Sequence, residues 1–228
     1  ITISAGDLTG TSSFTPTDDS TYEGNETGII AIATVSGGSA TEDGTQSETL
    51  TITENESSPT ITLSTSASSI LENAGTSLAL TVTTSIVTDE DIVVSISTSG
   101  TGVEGTDYAT ISDITISAGA TTGTASFTPT DDSTYEGNET GIVAIDSVTG
   151  ADAAESATPQ VVTVTITEDD STPTVTLTSS AASIDEDAGS SLTLTATLSN
   201  PTTADVTVAL STSGTGVEGT DYATISDI

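Results

Sequence analysis

The sequence predicts an all-β chain made of tandem copies of one sandwich domain, and three observations carry that prediction. Thr or Ser alternates with Val, Ile, Leu or Phe over short runs, the period of two expected when one strand face is buried and the other wet. Turns rich in Gly, Asp and Ser separate these runs, and no segment sustains a helical period. The chain also repeats itself. ITISAG begins at Ile1 and again at Ile114, a shift of 113, while STSGTGVEGTDYATISDI ends at Ile114 and at Ile228, a shift of 114. The one-residue difference falls after Gly37 and Gly150, where GSATEDGTQSE stands against ADAAESATPQ.

The elements of one period follow in order. Strand A reads TVTLT (174–178), B SLTLTATLS (191–199) and C DVTVALST (205–212). D reads ATISDITIS (109–117), E TGTASFTPT (122–130), F TGIVAIDSV (140–148) and G QVVTVTIT (160–167). Thr on the outer faces supplies strand propensity without apolar exposure. Phe14 and Phe127 read as core, Tyr108 and Tyr222 as core anchors, and Gly105 and Gly219 as residues of a tight C–D loop. About seven short antiparallel strands in roughly 114 residues is the profile of an immunoglobulin-like β-sandwich. Pro59 and Pro173 each follow an acidic cluster, TENESS and TEDDST, where proline stops a strand and stiffens the linker. The expected division is therefore the C-terminal half of a repeat at 1–58, a complete repeat at 59–172, and the N-terminal half of the next at 173–228. That division suggests a window from a longer array. A rival arrangement has the two halves complement each other between chains by strand exchange.

Composition narrows the function. The chain has 228 residues, 34 acids, a formal charge of −34, and no Lys, Arg or His. Nucleic-acid binding needs basic side chains to displace counterions from phosphates, and an anionic membrane surface needs them too. No apolar run approaches the ~20 residues of a membrane span, and no basic-then-apolar signal segment opens the sequence. Zero Cys excludes disulfides and Cys-ligated zinc. Two carboxylates ~4 Å apart repel by roughly 4 kcal/mol at an effective dielectric of 20. A compact form of this chain therefore draws its cations from solution.

Strand parity decides where the acids gather. If successive strands run antiparallel, the A–B, C–D and E–F connections and the end of G share one pole. A–B carries Glu72, C–D carries Asp107, E–F carries Asp131, Asp132, Glu136 and Glu139, and G ends in Glu168, Asp169 and Asp170. One dense cluster, Asp89, Glu90 and Asp91 in B–C, falls at the other pole. Hard oxygen donors in this number suit Ca²⁺, whereas zinc would want His or Cys. A high-salt habitat would also account for the acidity, without specific sites.

LENAG, GTGVEGTDY, PTDDSTYEGNE and VTITEDD, in that order and spacing, resemble the Calx-β domain family over essentially the whole chain. The resemblance implies an immunoglobulin-like sandwich with calcium held by these loops. The implied ligands are Glu72, Asp107, Asp132, Glu136, Glu139 and the run Glu168, Asp169, Asp170, with Asp131 nearby. Asp19, Glu23, Glu26, Glu54 and Glu56 match in the first segment, and Glu186 and Asp221 in the last. Two features depart from the family pattern. Strand G often ends there in three aspartates, against Glu-Asn-Glu at 54–56 and Glu-Asp-Asp at 168–170, which lowers ligand charge in the first copy. An aromatic usually follows the second E–F glutamate, where this chain has Thr140 and Gly141.

The expected function is mechanical: a structural module of an extracellular or cell-surface rod, fibre or adhesin stalk, rigidified by calcium where repeats meet. Its expected partners are neighbouring repeats and side-by-side copies in a filament, with no nucleic acid and no membrane insertion. Two alternatives are a calcium-sensing regulatory module and an adhesive ligand-binding domain. Paired carboxylates can cleave glycosides, but no aromatic sugar platform accompanies them and no enzyme is expected. Asn25, Asn55 and Asn138 stand in N-glycosylation sequons.

Overall fold

The structure, a computed structural model, describes residues 1–157 and 159–228. The described residues form strands and no helix. The first segment holds β1 (Thr21–Tyr22), β2 (Glu26–Ala31) and β3 (Ser47–Ile52). The central one holds β4 (Thr60–Thr65), β5 (Ser69–Leu71), β6 (Leu78–Thr84), β7 (Val87–Thr88) and β8 (Ile92–Gly100). It continues through β9 (Ile114–Ile116), β10 (Thr122–Phe127), β11 (Glu139–Thr149), β12 (Ala154–Glu155) and β13 (Val161–Thr167). The last segment holds β14 (Val175–Ser179) and β15 (Leu194–Leu198).

Two sheets make the central sandwich, one in the order β10-β6-β4-β12 and the other β5-β13-β11-β8-β9. Alternation fixes what each strand buries. Ile61 and Leu63, Leu80 and Val82, Ile92 and Val94, Ile114 and Ile116, Val143 and Ile145, and Val164 and Ile166 all point inward. Phe127 is fully buried and stacks on Tyr108 with ring centroids 4.6 Å apart. Apart from Tyr22, the buried hydrophobic core lies between Ile61 and Ile166. β2 and β3 pair as one antiparallel hairpin and β14 and β15 as another, with Ile29, Ile30, Val175 and Leu177 exposed.

Three strands differ from their sequence reading. Strand A is divided between the sheets, as β4 in one and β5 in the other, and the chain turns between them where Thr65 Oγ1 donates to Ala67 O at 2.9 Å. β5 then runs parallel to β13, and β12 parallel to β4, while the remaining ladders of the sandwich are antiparallel. Strand D is short because Asp113 occupies the neighbouring donors: its Oδ1 accepts Ile96 N at 3.1 Å and its Oδ2 accepts Ser95 Oγ at 3.1 Å. In the last segment, 205–212 forms no strand; Val208 and Ile228 exchange backbone bonds there.

Parity holds at both poles. At the first, Glu72 N donates to Thr167 O at 3.0 Å, Gly102 N to Thr140 O at 3.0 Å, and Thr130 N to Asp107 O at 2.9 Å. These bonds draw A–B, C–D, E–F and the end of β13 together. At the opposite pole Ala118 N donates to Asp91 Oδ1 at 2.7 Å and Gly119 N to Thr88 O at 2.8 Å. Gly150 makes the F–G turn there with φ +100°, and a Cβ on it would stand 2.1 Å from Asp91 O.

Candidate metal centre

Each loop at the acidic pole is closed by its own hydrogen bonds before any ion is considered. In the C–D loop, Asp107 N donates to Val103 O at 2.9 Å and Val103 N returns to Asp107 Oδ2 at 2.6 Å. Glu104 holds the same loop from behind, accepting Thr98 Oγ1 and Ile111 N, both at 2.6 Å. In the E–F loop, Asp132 Oδ1 accepts Thr134 N at 2.6 Å. Glu168 joins the E–F loop to the end of β13. Its Oε2 accepts Glu136 N at 2.6 Å and Gly137 N at 2.8 Å, and its Oε1 accepts Asp169 N at 3.1 Å and Asp170 N at 2.9 Å. Burial opposes ionisation of Glu168, but these four N–H donors outweigh it and hold its pKa below the ordinary carboxylate value.

The first segment repeats this clamp. Glu54 Oε2 accepts Glu23 N at 2.6 Å and Gly24 N at 2.8 Å, and its Oε1 accepts Asn55 N at 2.8 Å and Glu56 N at 2.9 Å. The Glu56 amide is the main reason that the pKa of Glu54 lies at about 2. Two amides that the sequence reading treated only as sequons share the work. Asn138 Oδ1 accepts Glu168 N at 3.1 Å, and Asn25 Oδ1 accepts Glu54 N at 2.9 Å.

Within this frame three groups of carboxylates bring ligand atoms within 4.8 Å of one another: Glu72, Asp132 and Glu136; Glu72, Glu168 and Asp169; and Asp107, Glu136 and Glu139. Oxygens sharing one Ca²⁺ at 2.3–2.6 Å can stand up to about 5 Å apart, so each group matches that ion's reach. Glu72 and Glu136 each belong to two groups, so the groups form a connected chain across the pole. Glu72 is 8% exposed, and burial followed by Glu168 raises its pKa to about 7. Burial, then Asp107 and Glu136, raises Glu139 to about 7. Glu136 and Asp170 are also raised, in each case by burial first and neighbouring acids second. Asp170 Oδ2 is buried with no hydrogen-bond partner. A buried anionic oxygen left unpaired is costly, and with no basic side chain in the sequence a cation is the partner that suits it. The residues present therefore fit a hard divalent ion.

The remaining expected residues sort themselves by position. Asp131 joins no group and acts on Asp170 through its charge alone. Asp19, Glu23, Glu26, Glu54 and Glu56 line one cleft in the first segment, but among the described residues no three of them approach as the central groups do. Glu186 and Asp221 also join no group; Asp221 Oδ2 accepts Val217 N at 2.7 Å. Sequence reasoning missed Asn73, whose Nδ2 donates to Asp169 Oδ2. Its place inside LENAG, next to Glu72, was the available signal.

The Calx-beta domain profile matches residues 54–170 and 168–227. No curated protein matches the chain. Among solved structures it is similar to an apo-form Calx CBD1 domain, at 19% identity and a TM-score of 0.41, over 49% of this chain and 99% of that one. It is also similar to CBD12 from CALX1.2, at 18% identity and 0.43, over 49% of this chain and 44% of that one. A third is the calcium binding domain CBD12 of CALX1.1, at 22% identity and 0.38, over 45% and 41%. The chain thus spans less than half the length of the two CBD12 structures it matches.

Proposed function

The chain belongs to the Calx-beta domain family, and from that premise we propose that it is part of an extracellular rod whose repeats bind Ca²⁺ at one pole and are stiffened by it where they meet. The carrying observation is the connected set of carboxylate groups around Glu72 and Glu136, with the unpartnered Asp170 oxygen beside it. In this reading Glu72, Asp107, Asp132, Glu136, Glu139, Asp169 and Asp170 hold the metal. Glu168 positions the loops through the four amides it binds. Calcium suits these donors because it accepts six to eight oxygens in adaptable geometry. The family is not an enzyme family, and the acids are assigned to metal alone.

The location of the cluster supports the mechanical half of the proposal. β13 ends at Thr167, the acids occupy 168–170, and β14 begins at Val175, so little slack separates one repeat from the next. Asn200 Nδ2 donates to Ser171 O at 2.9 Å and ties that linker to the following segment. Cations at 168–170 would remove the repulsion that otherwise bends the joint, so occupancy and stiffness rise together. The test is calorimetric calcium titration of the whole chain, paired with X-ray scattering in calcium and in chelator. We expect micromolar or tighter binding and a longer, narrower particle in calcium. Binding without any change in the scattering profile overturns the mechanical reading, and no binding overturns the calcium reading.

A further inference from the structure

Tyr22 lies in the first segment, yet it is 7% exposed and belongs to the core cluster of the central domain. Its backbone is taken up as well. Thr21 and Tyr22 pair in parallel with Val87 and Thr88, and Asp89 N donates to Tyr22 O at 3.4 Å. The ring ends in a hydroxyl that donates to Asp152 Oδ2 at 3.1 Å. Asp152 is held for this contact by an unusual turn: Gly150, Ala151 and Asp152 all have positive φ, and Ala151 N is tied to Glu90 Oε2 at 3.3 Å. Non-glycine residues persist in that region only where their surroundings enforce it.

The backbone part of this contact recurs one period later, around a half-buried tyrosine. Tyr135 occupies the position of Tyr22 after a shift of 113, and Thr202 that of Thr88 after a shift of 114. They form a parallel bridge, and Tyr135 N donates to Pro201 O at 3.0 Å. The receiving segments, IVTDED at 86–91 and NPTTAD at 200–205, agree only in the threonine and the final aspartate. Two receiving segments of different sequence thus accept the same tyrosine loop, through backbone groups that any residue supplies.

We infer that the B–C and F–G pole of each repeat is a docking surface whose occupant is the E–F tyrosine of the preceding repeat. The occupant adds two residues of parallel strand and inserts one aromatic ring, so that each repeat closes the sandwich of the next. Asp89, Glu90 and Asp91 border the first seat, and Asp89 faces Glu23 of the incoming loop closely enough to raise its pKa, after the larger effects of Asp19, burial and Glu26. Asp19 and Glu23 flank Tyr22 on a loop already clamped by Glu54.

Because the chain has no cysteine, the joint can be trapped cleanly. Thr21→Cys with Val87→Cys, placed at register partners in the full chain, forms a disulfide only while the tyrosine loop is seated. In chelator, adding Tyr22→Ala should slow trapping at least tenfold, and Tyr22→Phe, which loses only the bond to Asp152, by a smaller factor. Trapping at an unchanged rate in Tyr22→Ala overturns the docking surface.

Discussion

Glu72 and Glu139 sit where the loops leave them poorest in water and closest to other carboxylates, and both are raised to about 7. The sign of the consequence follows from linkage. An unfolded glutamate ionises near 4.5, so between about pH 4.5 and 7 the metal-free folded protein holds protons that the unfolded chain has released. The stability that these two groups contribute is therefore fully present at the bottom of that window and is lost as pH rises through it. Calcium reverses the trend, since the metal competes with those protons and binds more tightly as they leave. We predict that melting in chelator falls from pH 4.5 to 7.5 and that melting in calcium rises over the same range. Glu72→Gln should flatten the first curve and weaken calcium affinity by roughly tenfold or more. A Glu72→Gln melting curve parallel to the parent's in chelator would show that this carboxylate is not the strained one. At this scale the sequence was informative where charge was dense and parity placed it. Asn138 and Glu104 were not legible as supports, because they act through hydrogen bonds between segments whose closeness only the fold creates, and Asn73 was signalled only by its place beside Glu72.

Among the elements, the start of β11 shows how one residue reorganises a layer. The sequence offered Gly141 where an aromatic is usual in the family. In the structure a Cβ at Gly141 would lie 2.5 Å from the ring of Phe127 and 3.4 Å from that of Tyr108. The Phe127–Tyr108 stack, from β10 of the opposite sheet and the C–D loop, fills the space against strand F, and glycine is the residue that leaves it room. Gly141→Ala should destabilise the central domain by about 1–3 kcal/mol through overpacking. Phe127→Ala should cost about 3–5 kcal/mol by leaving a cavity. In denaturant melts the double variant should cost less than the sum, because the alanine methyl then enters the space the ring has left; full additivity would contradict this packing. The alternating pattern located the seven main strands of the central domain, and Phe127 and Tyr108 were read correctly as core, but Phe14 is 47% exposed because the β2–β3 hairpin has no second sheet to cover it. The pattern could not show that strand A changes sheets at Ser66–Ser68, or that Asp113 delays strand D, because neither event alters the period of two.

For the whole molecule, the choice is between specific ions and general screening. Raising sodium chloride to 1 M shortens the Debye length to ~3 Å, which relieves exposed acids at any position. It cannot satisfy a buried oxygen such as Asp170 Oδ2. We predict that calcium at about one hundred times its dissociation constant stabilises the chain by about 2.7 kcal/mol per site, a rise in melting temperature on the order of 10 °C. Sodium chloride at matched ionic strength should give only a small fraction of that rise. Equal effects of the two salts would assign the acidity to a saline habitat and leave the pole without a dedicated ion. The tandem organisation was legible at this scale from exact repetition. The tyrosine contact was not, because a ring that reads as local to its own loop is buried in the following domain.

The switch of strand A has a consequence for a molecule under load. β5 lies parallel to β13, with Ser69, Ile70 and Leu71 beside Thr165, Ile166 and Thr167, and the two leave the domain in opposite directions. Tension applied along the chain therefore slides these strands past one another in shear, so that their hydrogen bonds must rupture together rather than peel apart in sequence. Because β13 runs directly into Glu168, Asp169 and Asp170, a metal gripping that end would anchor the sliding strand at the place where it would otherwise begin to slip.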